Sequence, residues 1–177
     1  MKHLFLLRHA KSGYSDLIPR DFDRPLSGRG ARAGETMGRY LRRERLAFDR
    51  VLASDAARCV ETVARVEAGL GASLGVQWMR DLYLAPATAL LETVQAAPEA
   101  ATQLLIIGHN PGLEDLVLDL AGEDDPLRAA VYEKFPTAAL AELVIDGGWR
   151  DFATGAARLA RFVRPRDLDA SLGPDGE

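Results

Sequence analysis

Two of the three histidines stand directly after apolar runs of strand length. His9 follows the run from His3 to Leu7 and Arg8, and His109 follows Leu104-Leu105-Ile106-Ile107-Gly108. Ligands of open α/β sheets sit beyond the carboxyl ends of the strands, so both imidazoles can face one crevice. Arg8 adjoins His9, and Arg58 falls in the first turn of the helix expected after a second strand. Two imidazoles and two planar guanidinium forks at strand ends form a site for a dianion such as phosphate, and a helix start adds free N–H groups. The same set can do chemistry. A neutral imidazole is a good nucleophile near pH 7, and nearby guanidinium charges keep it neutral by lowering its pKa. A phosphoryl group passing to it carries charge on its equatorial oxygens, which Arg8, Arg58 and His109 can stabilise, and water then hydrolyses the phosphohistidine. Adjacent Arg and His are common by chance, so spacing alone carries this reading only part of the way.

The elements that must hold these residues alternate between strand-length apolar runs and helical periods, the pattern of an α/β domain with a mainly parallel sheet. After the first strand comes a loop rich in Gly, Asp and Pro, and Ser27 is placed to cap a helix reaching about Arg45. Asp49 to Ala53 reads as the second strand. Ser54 or Asp55 is a candidate cap for the next helix, with Ala56, Val60, Val63 and Val66 on its core face and an end near Gly69-Leu70-Gly71. Val76 to Met79 is a short third strand, followed by a helix from Pro86 to about Ala97. The wholly apolar run from Leu104 to Ile107 is a buried strand, and a helix from about Leu113 to Leu120 follows it. Ala138 to Ile145, the turn at Asp146-Gly147-Gly148 and a run ending at Ala157 to Val163 predict an antiparallel pair at a sheet edge. The expectation is a single three-layer α/β/α domain over residues 1–165, with a polar, loose tail at 166–177.

Four segments carry a resemblance. Leu6-Leu7-Arg8-His9-Ala10-Lys11-Ser12 is similar to the Arg-His signature of the histidine phosphatase superfamily, the group that includes phosphoglycerate mutases and histidine acid phosphatases. Ala10 stands at the usual glycine. Asp23-Arg24-Pro25-Leu26-Ser27-Gly28-Arg29-Gly30 resembles the next segment in the SixA-type phosphohistidine phosphatases. Ser54 to Thr62 resembles the family's Ser-to-Arg-to-Gln-Thr motif, with Glu61 at the Gln position, and Gly108-His109-Asn110-Pro111-Gly112 resembles the second-histidine motif. Each motif is weak alone, and four in order are specific. The resemblance implies a phosphoglycerate mutase-like fold; no His-x-Glu, Cys pair or carboxylate cluster has metal-ligand spacing, so no metal is expected, and no cofactor. The resemblance also implies His9 as nucleophile, Arg8 and Arg58 as phosphate ligands, and His109 as phosphate ligand or transition-state stabiliser.

The proton donor to the leaving group is less legible. Acid phosphatases of the family carry an aspartate directly after the second histidine, where this chain has Asn110. Mutase-like members carry a glutamate after the third strand, where the nearest residue is Asp81, a candidate acid whose bland alternative is a surface or capping role. A phosphoramidate loses a nitrogen that can be protonated beforehand and depends less on a placed acid. The expected substrate is therefore phosphohistidine or another protein-borne phosphate, with a histidine-phosphorylated signalling domain as one partner. The alternatives are a phosphatase of small phosphorylated metabolites and a non-catalytic phosphate-binding module. The short chain leaves no room for a large cap over a metabolite.

Other residues read more plainly. Arg24 either lines the mouth of the pocket or pairs with Asp21 or Asp23. Lys11 and Ser12 shape the loop, His3 is structural, and Asn110 caps the following helix. Cys59 to Arg65 has the Cys-five-residues-Arg spacing of cysteine-dependent phosphatases. Their phosphate-cradling loop is glycine-rich, whereas Val60 to Ala64 has helical period and no glycine, so the match is coincidence.

Composition sets the outer bounds. The 177 residues are 47% hydrophobic and 27% charged, which suits a globular domain, and the net charge of −4 argues against a nucleic-acid partner. Arg39, Arg42, Arg43 and Arg45 fit the wet face of a helix. The single cysteine gives no internal disulfide, and no run approaches membrane length, so a cytoplasmic location is expected.

Overall fold

The computed structural model describes residues 1–18 and 20–173. Six strands form one mixed sheet: β1 (Lys2–Arg8), β2 (Arg50–Ser54), β3 (Gln77–Met79), β4 (Gln103–Gly108), β5 (Leu140–Ile145) and β6 (Arg158–Val163). Their order across the sheet is β3-β2-β4-β1-β5-β6. The pairs β3-β2, β2-β4 and β4-β1 are parallel, while β5 runs antiparallel to both β1 and β6. The expected antiparallel pair therefore closes one edge.

Six helices among the described residues cover the sheet: α1 (Gly28–Arg43), α2 (Ala57–Leu70), α3 (Ala87–Gln95), α4 (Gly112–Leu120), α5 (Arg128–Glu133) and α6 (Pro165–Leu168). Alternate strand residues feed two cores, one on each face. Phe5, Leu7, Val51, Ala53, Leu105 and Ile107 pack with Met37 and Leu41 of α1 and Val63 and Val66 of α2. Leu4, Leu6, Leu52, Leu104 and Ile106 pack on the other face with Leu90 of α3 and Leu113, Leu116 and Val117 of α4. Helices on both faces make the three layers.

Local signals explain most boundaries. The Ser27 side chain accepts from Gly30 N–H at 3.0 Å and caps α1. Helices α1 and α2 touch backbone to backbone, since a Cβ at Gly38 would lie 2.1 Å from the Val66 carbonyl. Three expectations are corrected. Val60 is 41% exposed rather than core, because α2 turns Arg58, Cys59 and Thr62 inward instead. Neither Ser54 nor Asp55 is the N-cap of α2, which is Ala56; Asp55 instead meets Arg80 at 3.0 Å. The segment after Pro165 is not loose through 173, because α6 and a following 3-10 turn bring Leu172 into a buried cluster with Ala10, Ala33 and Ala138. Residues 174–177 lie outside the described residues.

Candidate active site

Parallel pairing assembles the site. The β1–β4 register sets Arg8 opposite Gly108, so the next residues, His9 and His109, leave neighbouring strands at the same height. The His9 N–H donates to the Gly108 carbonyl at 3.0 Å and fixes that height. On the other flank of β4, β2 ends in Ser54, and one residue pair beyond the Ala53–Ile107 rung it too reaches this level. The imidazole centroids of His9 and His109 are 5.2 Å apart. Arg58 enters from the first turn of α2. Its Nε–H points at Nε2 of His9 at 3.3 Å.

The loop after His9 is held from two sides. The Thr62 hydroxyl accepts from Ala10 N–H at 2.9 Å and donates to the Arg58 carbonyl at 2.6 Å. The Lys11 backbone passes so close to α1 that a Cβ at Gly30 would meet its carbonyl at 2.1 Å, which only glycine permits. Thr62 and Gly30 thus have a physical task in the motifs that contain them.

The hydrogen bonds assign the protons of His9. Nδ1 faces only the Ala10 carbonyl, at 2.8 Å, so it carries the hydrogen and donates. Nε2 is then the lone-pair nitrogen, in agreement with the Arg58 N–H aimed at it. Burial, with help from His109, Arg58 and Arg8, lowers the His9 pKa to about 3, and burial with the Arg58 charge lowers that of His109 to about 4. Both rings are neutral at pH 7. The Cys59 thiol is fully buried, lies 3.6 Å from His109 Nε2, and is pushed up to about 12 by burial, so it is no nucleophile at neutral pH.

A cavity of about 400 Å³ opens over this floor, lined by Arg8, His9, Lys11, Ser12, Arg24, Arg58, Asn110 and Thr137. Four cationic side chains and no carboxylate line it. Arg24 does both things expected of it: it lines the cavity and pairs with Asp21 at 3.0 Å, and it also donates to Ser12 Oγ at 2.5 Å. Asn110 acts at the start of α4, where its Oδ1 accepts from Glu114 N–H at 3.3 Å and its Nδ2 donates to the Phe135 carbonyl at 3.0 Å. Arg8 donates to that same carbonyl at 3.0 Å.

Asp81 does not join this group. It follows β3 at the sheet edge and lines a separate cavity of about 580 Å³ with Arg50, Leu52, Met79 and Leu104. Tyr83, two residues on, reaches the site instead: its ring stands edge-on to His109 at 5.3 Å, and its hydroxyl donates to Asp21 at 2.5 Å. Sequence reasoning missed both Tyr83 and the weight of Asp21. The latter sits in a 3-10 turn, Asp21–Asp23, and takes Arg58 twice, on its carbonyl at 2.8 Å and its carboxylate at 3.0 Å. The Tyr83 hydroxyl, then Arg58 and Arg24, lower the Asp21 pKa to about 2, so it stays ionised. An aspartate preceding Arg24 in a polar loop is the only sequence signal for it. His3 is structural, its Nδ1 2.7 Å from Glu142, which also binds Arg161 at 2.9 Å.

A doubly covered, largely parallel sheet with His9 and His109 at neighbouring strand ends and Arg8 and Arg58 beside them defines a phosphoryl-handling enzyme of the phosphoglycerate mutase-like fold. Residues 4–83 match the family model "Histidine phosphatase superfamily (branch 1)". The protein Rv1276c of Mycobacterium tuberculosis, itself uncharacterized, is 37% identical over 163 residues, covering 90% of this chain and 100% of the relative. Two solved structures, each a proposed phosphohistidine phosphatase SixA, superpose closely. The one from Nakamurella multipartitia has a TM-score of 0.80 at 31% identity and covers 93% of this chain and 96% of its own. The one from Agrobacterium tumefaciens has a TM-score of 0.78 at 31% identity, covering 93% and 98%. This chain belongs to the histidine phosphatase superfamily, and by class it is a histidine-nucleophile phosphatase. No helix among the described residues is long and apolar enough to cross a membrane.

Proposed function

We propose that the protein hydrolyses phosphohistidine, or another phosphate borne by a protein side chain, through a covalent intermediate on His9. The observation that carries this reading is a neutral His9 whose Nε2 lone pair faces a shallow cationic cavity without a carboxylate in its lining. Arg8, Arg58 and His109 hold the incoming phosphoryl group, whose oxygens take over the Arg58 N–H now aimed at Nε2. Nε2 attacks phosphorus, and the bond from phosphorus to the leaving group breaks as the new bond forms. Water then attacks the phosphohistidine, releasing phosphate and restoring the imidazole.

The leaving group decides the substrate class. An alkoxide departing from an ordinary ester needs a proton in the transition state. Asp21, the carboxylate that Arg58 binds, is ionised down to about pH 2 and engaged by Arg58, Arg24 and Tyr83, so it has no proton to give. A phosphoryl-imidazole arrives with its leaving nitrogen able to carry a proton already. The SixA name attached to the two solved relatives agrees with this choice.

The test is a phosphoenzyme trap with a labelled phosphohistidine donor, quenched within milliseconds and mapped by peptide. An acid-labile adduct at His9, absent in His9→Ala, and release of phosphate at the adduct's decay rate are expected. An adduct on Cys59 would overturn the mechanism. Faster turnover of alkyl phosphomonoesters than of phosphohistidine would move the substrate to small metabolites. No adduct and undiminished ligand binding in His9→Ala would leave only a binding module.

A further inference from the structure

His109 has a hydrogen-bonding problem that its own motif does not solve. It is 3% exposed and neutral, so it carries one proton on one of two nitrogens. Nε2 lies 2.8 Å from the Ser54 hydroxyl, and Nδ1 is buried with no hydrogen-bond partner among the described residues. Ser54 takes up Nε2, so Nδ1 is the nitrogen left for an incoming phosphoryl oxygen, and with the proton on Nε2 it would offer that oxygen a lone pair. That contact is repulsive, and His109 could neither bind phosphate nor stabilise its transfer. Only the Nδ1–H form serves a phosphate site.

The surroundings of Ser54 choose between the two forms. Ser54 ends β2 and is fully buried. Its oxygen already accepts from the Ala56 N–H at 3.2 Å. Its own hydrogen needs an acceptor, and Nε2 of His109 is the nitrogen in reach. The Cys59 thiol, at 3.6 Å from the same nitrogen, is a longer and weaker contact. With Nε2 protonated instead, the Ser54 oxygen would accept both donors on its two lone pairs, but its own hydrogen would be left facing only sulfur, a weak acceptor, in a dry interior.

We propose that Ser54 is a positioning residue that donates to Nε2 of His109 and so holds the His109 proton on Nδ1, the nitrogen left to bind the transferred phosphoryl group. The arrangement passes direction along a chain: Ala56 N–H to Ser54, Ser54 O–H to His109 Nε2, His109 Nδ1–H to phosphate. His9 mirrors it, with its tautomer set in the opposite sense by the Ala10 carbonyl, so one ring offers a lone pair and the other a proton. The geometry stands by itself, while its catalytic consequence rests on the phosphatase reading above.

The experiment is nitrogen-15 NMR of histidine-labelled protein at pH 7, with and without inorganic phosphate, in the parent, Ser54→Ala and Ser54→Thr. In the parent the His109 proton is expected on Nδ1, with Nε2 of the pyridine type. Ser54→Ala is expected to mix the two tautomers and to lower kcat about tenfold, the order of one neutral hydrogen bond, with a smaller change in KM. Ser54→Thr keeps the hydroxyl and restores both. A parent with the proton on Nε2, or a folded Ser54→Ala that keeps it wholly on Nδ1, overturns the proposal. The parent spectrum needs no variant, so the proposal stays refutable even where Ser54→Ala does not fold. A parent with no turnover but the expected tautomer would defeat the phosphatase reading and leave the assignment of Ser54 intact.

Discussion

The two cavities on the parallel side of the sheet arise from different accidents of strand order. The more apolar one, about 580 Å³, runs beside β2 and β3, lined by Leu52, Met79 and Leu104 together with Arg50, Asp81 and Glu92. The polar one, about 400 Å³, lies where β4 returns between β2 and β1 and their ends deliver Ser54, His109 and His9 side by side. The larger void has the apolar walls usual in ligand pockets. The smaller has the directed donors, and direction is what phosphoryl chemistry needs. Volume and apolarity locate room for a ligand; only the orientation of N–H groups and lone pairs locates a reaction.

That contrast can be broken most severely at Arg58. Arg58→Lys keeps the charge but loses the planar fork that spans His9 and Asp21, and kcat/KM should fall about 10²- to 10³-fold, as for loss of a transition-state donor. Steady-state kinetics read it, and a fall below tenfold would mean that charge alone suffices.

The next effect concerns stability and belongs to the polar cavity alone. His9 and His109 have folded pKa values of about 3 and 4, below the unfolded value near 6.5. Between those limits the unfolded chain binds the extra protons, so stability falls as pH drops from 6.5 toward 4. Each imidazole contributes up to about 1.4 kcal/mol per pH unit. Asp21 works in the same sense over a lower window, lending stability above pH 3.8 that is lost toward pH 2. Urea unfolding from pH 7 to 4.5 should show the slope, and His9→Ala should remove its share. A flat profile would mean the rings are solvated.

The smallest effect is expected in the apolar cavity. Asp81→Asn should leave kcat/KM within about twofold, as for surface changes away from a network. A larger loss would join the two cavities functionally and restore Asp81 as the acid.

The sequence made the strand ends visible because parallel strands buried on both faces are continuous apolar runs, and His9 and His109 interrupt two of them abruptly. It misread Val60 because helical periodicity assumes that a helix buries its apolar face. Helix α2 turns Arg58, Cys59 and Thr62 inward, and Val60 goes outside. It chose Asp81 over Tyr83 because residue type suggested an acid, while the path of the chain after an edge strand decides which side chain turns toward the centre. Asp21 was hard to see for another reason. Its role depends on a loop folding back onto α2, a contact no local pattern encodes.

One consequence follows from the bond between the His9 amide and the Gly108 carbonyl. The nucleophile is tethered to a strand from the other half of the chain, so on the ribosome nothing reactive exists until β4 has emerged and threaded between β1 and β2. After synthesis the same tether works in reverse. The His9 amide should exchange with deuterium only when the central sheet opens as a whole, which makes loss of the reactive ring and loss of the fold a single event.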